Sequence, residues 1–297
     1  MDYTNTYAKF LKKFMQPKKR LRVVFDCSNG TTGIVIKSLS NLVISKLKID
    51  IINSKPDGNF PAHGPNPMAK GSMDDLRKEV KKQKADLGVI LDADGDRVFF
   101  VDNLGRSVSA DAVAALMSGN FSGPVILDAR AGYLARRLIR ANGQKVVDSR
   151  VGHAFIKKLM FTKKVEFAAE MSGHYYFNFK GGAVWDSGIL GAIYFINAVS
   201  KLKNGLADWL DQLPQYFHSG ELNFKIRNKK VAINRIMRYY KKYAVKTSRL
   251  DGLRMEFPDW WFIVRPSNTE DLLRLILEAK TKKSFEKNIA KMKMLIK

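Results

Sequence analysis

The chain has one cysteine, Cys27, so no internal disulfide can form, and this usage suits a reducing cytosol. Cys27 follows an apolar stretch and reads as packing rather than chemistry. No apolar run approaches the length of a membrane span; the richest, Gly188–Val199, is too short. The N-terminus lacks a signal-peptide core. Together these absences lead to the expectation of a cytoplasmic protein with no membrane partner. Also missing are a G-x-G-x-x-G fingerprint, a Walker loop, a Ser-His-Asp order and any zinc-ligand spacing among the four histidines. No internal repeat appears at a solenoid period. Acidic residues are scarce: 28 Asp and Glu against 52 Lys and Arg leave a net charge of +24. Such a field draws anions, whether phosphorylated metabolites, nucleic acid or acidic lipid. The basic residues are spread along the chain without a long block, so most of them decorate helix surfaces. A recognised nucleic-acid motif and an evident stacking platform are both lacking, which argues against nucleic acid as the partner.

What is present is ordinary globular composition, 45% hydrophobic and 27% charged over 297 residues, a length that suits two or three domains. Apolar spacing at Tyr7, Phe10, Leu11 and Phe14 predicts a short amphipathic helix ended near Pro17. Strands are expected over 21–26, 48–52 and 86–91, with helices over 34–45 and 73–84. Asp74 and Asp75 favour the first turn of the latter. A second alternation follows. Helices are expected over 111–117, 132–141, 154–162, 188–202 and 206–212, and strands over 124–127, 145–147, 165–169 and 175–179. Asn142-Gly143 is a good helix stop, and Asp186 or Ser187 caps the apolar helix. The last part changes grammar, with strands over 221–226, 253–257, 260–264 and 272–278 and helices over 230–243 and 284–297. The expected architecture is two similar α/β layer domains followed by an α+β domain with an antiparallel sheet. The boundaries read as a linker helix over 1–19 and domains over 20–106, 107–218 and 219–297.

The chain is organised around Leu91-Asp92-Ala93-Asp94-Gly95-Asp96-Arg97. Apolar runs on both sides place this loop between two strands. Carboxylates at alternate positions repel one another unless a cation sits among them, and hard oxygen ligands suit Mg²⁺ or Ca²⁺. Gly95 lets the backbone turn tightly. Arg97 beside such a site suits an anionic substrate such as a phosphate. A solvated acidic turn carries the same residues, and the start resembles a calcium loop without the closing glutamate.

Other loops carry weaker signals. Cys27-Ser28-Asn29-Gly30-Thr31-Thr32-Gly33 joins a strand to a helix, an arrangement friendly to phosphate. Residues 55–67 form a long loop dense in proline and glycine, the kind that tends to be functional. Arg130 and His153 each follow a strand, where α/β sheets expose ligand sites. Glu170, Ser172 and His174 end another strand; the first two suit sugar hydroxyls and the third could move a proton near neutral pH. Arg265-Pro266-Ser267-Asn268-Thr269 gathers a guanidinium, hydroxyls, an amide and backbone N–H groups, a good phosphate cradle. The 170–174 and 265–269 loops are equally compatible with an ordinary turn, and Arg130 and His153, taken singly, are more often structural or solvated than functional.

The loops N-G-T-T-G, P-D-G-N-F-P-A-H-G-P-N-P, D-A-D-G-D-R, V-G-H, E-M-S-G-H and R-P-S-N-T occur in one order along nearly the whole chain. This set resembles the α-D-phosphohexomutase family, nearest to bacterial phosphomannomutase/phosphoglucomutase. The resemblance implies that Asp92, Asp94 and Asp96 bind Mg²⁺, with Arg97 in the same loop as a catalytic residue. Glu170 and Ser172 would contact the sugar hydroxyls and His174 would take part in proton transfer. Gly152 and His153 match another substrate loop. Arg265, Ser267, Asn268 and Thr269 match the loop that holds the phosphate not being transferred. Arg130 stands where close relatives carry an active-site lysine; it keeps the charge but hardly titrates. The implied reaction interconverts hexose 1-phosphate and hexose 6-phosphate, of glucose or mannose, through glucose 1,6-bisphosphate or mannose 1,6-bisphosphate.

One departure stands out. The family carries a phosphoserine in a T-A-S-H-N-P-like loop of a first domain, and no serine here is followed by His-Asn-Pro. The expectation is that domains two, three and four are present, that the phosphoserine domain is not, and that the isolated chain is inactive. The donor domain would then be a separate polypeptide acting in trans or an upstream segment of a longer chain. A non-catalytic phosphosugar-binding protein is the alternative.

Overall fold

The computed structural model describes residues 2–42, 46–179, 182–267 and 270–297. Its first unit runs α1 (Tyr3–Lys12), β1 (Leu21–Asp26), α2 (Thr32–Leu42), β2 (Leu47–Ile52), α3 (Asp74–Lys82), β3 (Leu87–Leu91) and β4 (Val98–Asp102). The sheet order is β2-β1-β3-β4, with β1 parallel to β2 and β3, and β4 antiparallel to β3. Every residue of β3 is buried, which is why its sequence is continuously apolar rather than alternating.

The second unit repeats this plan. It runs α4 (Ala110–Ser118), β5 (Val125–Asp128), α5 (Tyr133–Ala141), β6 (Val146–Ser149), α6 (His153–Lys163), β7 (Phe167–Ala169), β8 (Tyr175–Asn178), β9 (Val184–Asp186), α7 (Gly188–Val199) and α8 (Leu206–Asp211). The order β6-β5-β7-β8-β9 again sets three parallel strands beside antiparallel ones. In both sheets the loop leaving the third parallel strand carries site residues, as strand ends in open α/β sheets do.

The third unit is built differently: β10 (Phe217–His218), β11 (Leu222–Lys225), α9 (Lys229–Tyr240), β12 (Lys246–Ser248), β13 (Leu253–Glu256), β14 (Trp260–Pro266), β15 (Leu272–Ala279) and α10 (Lys282–Ile296). Its antiparallel sheet follows β10-β15-β14-β13-β12, with β11 also paired to β15. The α/β, α/β, α+β reading therefore describes the molecule. Three short strands, β9, β10 and β12, were not legible in the sequence. Several expected helices end early: α1 stops at Lys12, α7 at Val199 and α9 at Tyr240; the end of the helix expected over 34–45 falls on 43–45, outside the described residues.

The two α/β units share one core. A single cluster of buried side chains runs from Ala8 to Leu206, and the rings of Phe100 and Phe195 meet across it at 4.1 Å. Helix α7 lies at its centre, touching β3, β4, β8 and α4. Every residue of α7 except Tyr194 is buried. A helix wrapped on all sides is apolar all round, so the longest apolar run of the chain is a core helix. Ser187 caps it by accepting from the Leu190 amide. The segment after α1 is strapped to its far end: Asn197 Oδ1 accepts from the Gln16 amide at 2.8 Å and Asn197 Nδ2 donates to the Phe14 carbonyl at 2.7 Å. The third unit has its own core, from Ala232 to Ile296. It meets the second unit through a small cluster in which Ala129 and Tyr133 pack on Trp261, Ile263 and Ile276.

Candidate active site

The acidic loop between β3 and β4 is shaped by its own carboxylates. Asp92, 1% exposed, accepts from the Gly95 and Arg97 amides at 3.1 Å each and from Arg97 Nε at 2.6 Å. Gly95 has φ +78°, a backbone state that suits glycine, and an added Cβ would strike Thr32. The 27–33 loop braces this turn from behind: the Thr31 amide donates to the Ala93 carbonyl at 2.9 Å, and Ser28 Oγ donates to the Leu91 carbonyl. The long 55–67 loop closes over the other side. There the Ala93 amide donates to the Pro65 carbonyl at 3.3 Å, and buried Asp26 accepts from Asn53 and pairs with His63.

Oxygen atoms of Asp92, Asp94 and Asp96 lie within 4.8 Å of one another. Burial, together with the charges of Asp92 and Asp94, pushes the Asp96 carboxyl up to about 7. Mutual repulsion in so crowded a set is relieved by a divalent cation, and an all-oxygen set suits Mg²⁺.

This loop is zipped to the second unit. The Val98 amide donates to the Gly173 carbonyl at 3.0 Å, Arg97 and His174 form an isolated antiparallel bridge, and the Gly188 amide donates to the Gly95 carbonyl at 2.8 Å. The contact at Gly188 is so close that an added Cβ would fall 2.6 Å from the Arg97 carbonyl oxygen. His174 is thereby held with Nδ1 3.6 Å from Asp96 and 3.9 Å from Asp186. His153, at the start of α6, stacks edge-on against it at 4.4 Å and pairs with Asp186 at 2.5 Å. Burial first, and then the neighbouring His153, lowers His174 to about 4, so its imidazole is neutral at physiological pH. Asp186 behaves oppositely: burial works against its charge, but the hydrogen bond from Lys157 holds it below the usual carboxylate range.

A second group adjoins this one. Arg130 pairs with buried Asp128 at 2.8 Å and with Glu170 at 3.2 Å, and Tyr176 donates its hydroxyl to Glu170 at 2.8 Å. Although burial penalises both charges, the Arg130 guanidinium holds Asp128 below its ordinary range, and Asp128 and Glu170 keep Arg130 firmly protonated. Ser172 Oγ lies 3.4 Å from Arg130. Arg130 therefore offers fixed charge rather than a titratable proton. The Tyr176 ring reaches both histidines, at 5.8 Å from His153 and 6.3 Å from His174, and so joins the two groups.

The third group sits on β14 and β15. Arg265 and Arg274 face each other across the strand pair, a like-charge arrangement that costs stability unless an anion bridges it. Glu221 bridges it, at 3.3 Å from Arg265 and 3.1 Å from Arg274. Arg265 also pairs with Asp251 at 3.1 Å, and Asp251 accepts from the Val151 amide at 3.4 Å. That last contact ties the cradle to the Gly152-His153 loop. Arg274 donates to Ser267 Oγ at 3.3 Å. Asn268 and Thr269, expected here as phosphate ligands, lie outside the described residues.

The structure thus gathers Asp92, Asp94, Asp96, Arg97, His153 and His174 in one group, Arg130, Glu170 and Ser172 in the next, and Arg265 and Ser267 in a third. Sequence reasoning missed Asp186, Lys157, Tyr176, Asp251, Glu221 and Arg274. His153 and Lys157, four residues apart on one helix face, carried a usable signal for an acidic partner. Glu221 pairs with Arg265 and Arg274 over 44 and 53 residues, and Tyr176, only six residues from Glu170, shows no helical spacing that would have marked the pair.

Family models match the chain in three consecutive pieces. Phosphoglucomutase/phosphomannomutase alpha/beta/alpha domain II matches residues 2–105, domain III matches 108–217 and the C-terminal domain matches 221–293. A phosphomannomutase of Methanocaldococcus jannaschii is 35% identical over 292 residues, covering 97% of this chain and 63% of that protein. A phosphomannomutase of Escherichia coli is 32% identical over 269 residues, covering 88% of this chain and 59% of that protein. Among solved structures, a phosphoglucomutase/phosphomannomutase family protein of Burkholderia thailandensis superposes with a TM-score of 0.86 at 24% identity, over 99% of this chain and 64% of that one. The chain spans about three-fifths of the length of these relatives.

Proposed function

The chain belongs to the phosphoglucomutase/phosphomannomutase family, and on that premise we propose that it supplies the metal-binding, sugar-binding and phosphate-binding parts of a phosphohexomutase. Its substrates are glucose or mannose phosphates, interconverted between the 1- and 6-positions through the 1,6-bisphosphosugar. The phosphoserine that gives and takes the phosphoryl group comes from outside these 297 residues, from a segment of a longer chain or from a separate polypeptide. The observation that carries this reading is the zipping of the acidic loop to the 170–174 loop, which sets Asp96 beside His174.

Each group then has a task. Asp92, Asp94 and Asp96 hold Mg²⁺, which supplies charge neutralisation for a transferring phosphoryl group when bound. Arg97, fixed by Asp92, faces the same anion. Glu170 and Ser172 position sugar hydroxyls, with Arg130 orienting Glu170. His174, neutral and buried, accepts a proton from the attacking hydroxyl, and His153 steers it through Asp186. Arg265 and Arg274 take the phosphate that stays put. Because that cradle reads a phosphate and not a ring position, it accepts either end of the sugar, as a reversible 1,6-exchange requires.

Glucose 1-phosphate binding tests the assignment. Arg265→Ala removes a charge-assisted pair and is expected to weaken calorimetric binding by about 1.5–3 kcal/mol, roughly ten- to a hundredfold. A variant that binds as tightly as the native chain would remove the phosphate cradle from β14.

A further inference from the structure

We propose a second divalent-cation site, made of His153, His174, Asp186 and Asp96 and suited to a borderline-soft ion of the Zn²⁺ type, distinct from the all-oxygen Asp92, Asp94, Asp96 set. One ligand atom from each of the four residues lies within 4.8 Å of all the others. A tetrahedral Zn²⁺ with bonds of about 2.0–2.1 Å places its ligands about 3.3 Å apart. His174 Nδ1 is 3.6 Å from Asp96 Oδ2 and 3.9 Å from Asp186 Oδ2, so small side-chain shifts close the polyhedron.

The independent observation is His174 itself. The residue is 8% exposed, and its Nδ1 is buried without a hydrogen-bond partner among the described residues. A buried imidazole nitrogen aimed between two carboxylates, and bonded to neither, is a lone pair or donor left unused, which buried polar groups rarely are. His153 already has Nδ1 directed at Asp186 Oδ2, at 2.5 Å. An ion arriving there would displace that one hydrogen bond. Lys157 occupies the other oxygen of Asp186, at 2.7 Å, and so orients Oδ2 toward the centre. This is an outer-shell contact of the kind that fixes metal-ligating groups. Lys157 and Arg97 oppose the incoming charge, and the carboxylates of Asp96 and Asp186, with Asp92 and Asp94 behind, outweigh them.

Two imidazoles and two carboxylates select against Mg²⁺, which prefers oxygen ligands and octahedral geometry, and in favour of Zn²⁺ or Co²⁺. Asp96 belongs to both sets, so one ion disturbs the other. A Zn²⁺-type ion here also takes both histidines away from the sugar, and it would act as a brake on the site rather than as a helper.

Cobalt(II) is the probe, because a four-coordinate site with imidazole ligands gives much stronger visible bands than an octahedral all-oxygen site. The full 297-residue chain, in excess Mg²⁺, is titrated with Co²⁺ and then with Zn²⁺. The expected result is one equivalent of strong visible absorption, erased by Zn²⁺. His153→Ala, whose side chain is 45% exposed and does not hold the core, should weaken Co²⁺ binding more than about tenfold. Asp94→Asn should leave the strong bands in place, because Asp94 belongs only to the oxygen set. Circular dichroism of each variant checks the fold. Weak bands only in the native chain, or strong bands that appear in His153→Ala at the native Co²⁺ affinity, or strong bands lost in Asp94→Asn, would each overturn the site. None of these readings depends on turnover.

Discussion

Domains II and III meet as two halves of one object, while domain III and the C-terminal domain meet as two objects touching. At the first seam three contacts run directly between backbones, Val98 to Gly173, Gly188 to Gly95 and the Arg97–His174 bridge, beside side-chain bonds such as those of Asn197 to Gln16 and Phe14 and of Asn103 to Ala207. Behind them lies a single core with α7 at its centre. At the second seam the bonds run through side chains. Arg254 donates to the Ala129 and Ala131 carbonyls at 2.8 and 3.1 Å with its guanidinium over the Trp261 ring. Glu278 accepts from the Tyr133 amide at 2.8 Å and from Trp261 Nε1 at 2.6 Å. The apolar contact there is a handful of residues.

The difference follows the chemistry. Under the proposed roles, a metal set and a proton-transfer histidine must keep their spacing to a fraction of an ångström, and a shared core with a closely bonded seam suits that. A cradle that grips a phosphate needs only to reach it, and a side-chain joint is enough.

The largest effect expected from breaking this contrast is at the side-chain joint. Trp261→Ala removes the ring under Arg254 and the donor to Glu278, at a cost of about 3–5 kcal/mol. The loss should stay in the C-terminal domain. Hydrogen exchange should rise across β13 to β15 while β3 and α7 remain protected. Equal loss of protection in all three domains would show that the joint is as cooperative as the seam.

A smaller effect is expected at the backbone seam. Gly188→Val drives a side chain into the carbonyls of Arg97 and Gly95, which cannot retreat without opening the seam. About 1–3 kcal/mol of stability should go, with weaker Mg²⁺ binding in the same variant. A denaturation midpoint and a metal affinity both unchanged would contradict the rigid seam.

How far the sequence reached follows the same contrast. The acidic loop was legible because apolar β3 and β4 flank it and its carboxylates are adjacent in the chain. The cap of α7 was half legible: Asp186 and Ser187 were both candidates, Ser187 caps, and Asp186 turns to His153 and Lys157. Nothing in residues 184–186 announced β9, a three-residue strand with one face in solvent. Periodicity tells which face of an element is buried but not against what, so the common core of domains II and III was invisible, as was Glu221 between two arginines.

The smallest effect belongs to the long loop over the metal site. The hydrogen bond to buried Asp26 raises the His63 pKa, against some opposition from burial. A raised folded-state value means that the protonated form is the stabilised one. Its contribution is complete below about pH 6.5 and is lost as pH rises through the folded value. The urea midpoint should therefore fall as pH rises from about 5.5 to about 8.5, and His63→Gln should flatten that slope. A native slope of opposite sign, or one kept by His63→Gln, would assign it elsewhere.

The most direct measurement is a coupled assay of glucose 6-phosphate formation from glucose 1-phosphate, with Mg²⁺ and glucose 1,6-bisphosphate present. The 297-residue chain alone is expected to give negligible conversion, because on the proposed reading the phosphoryl donor comes from outside it. Addition of a phosphoserine-bearing family domain, fused before Met1 or supplied in trans, is expected to give sustained turnover that Asp94→Asn abolishes. Robust turnover by the chain alone, or none from the complemented protein, would contradict the account.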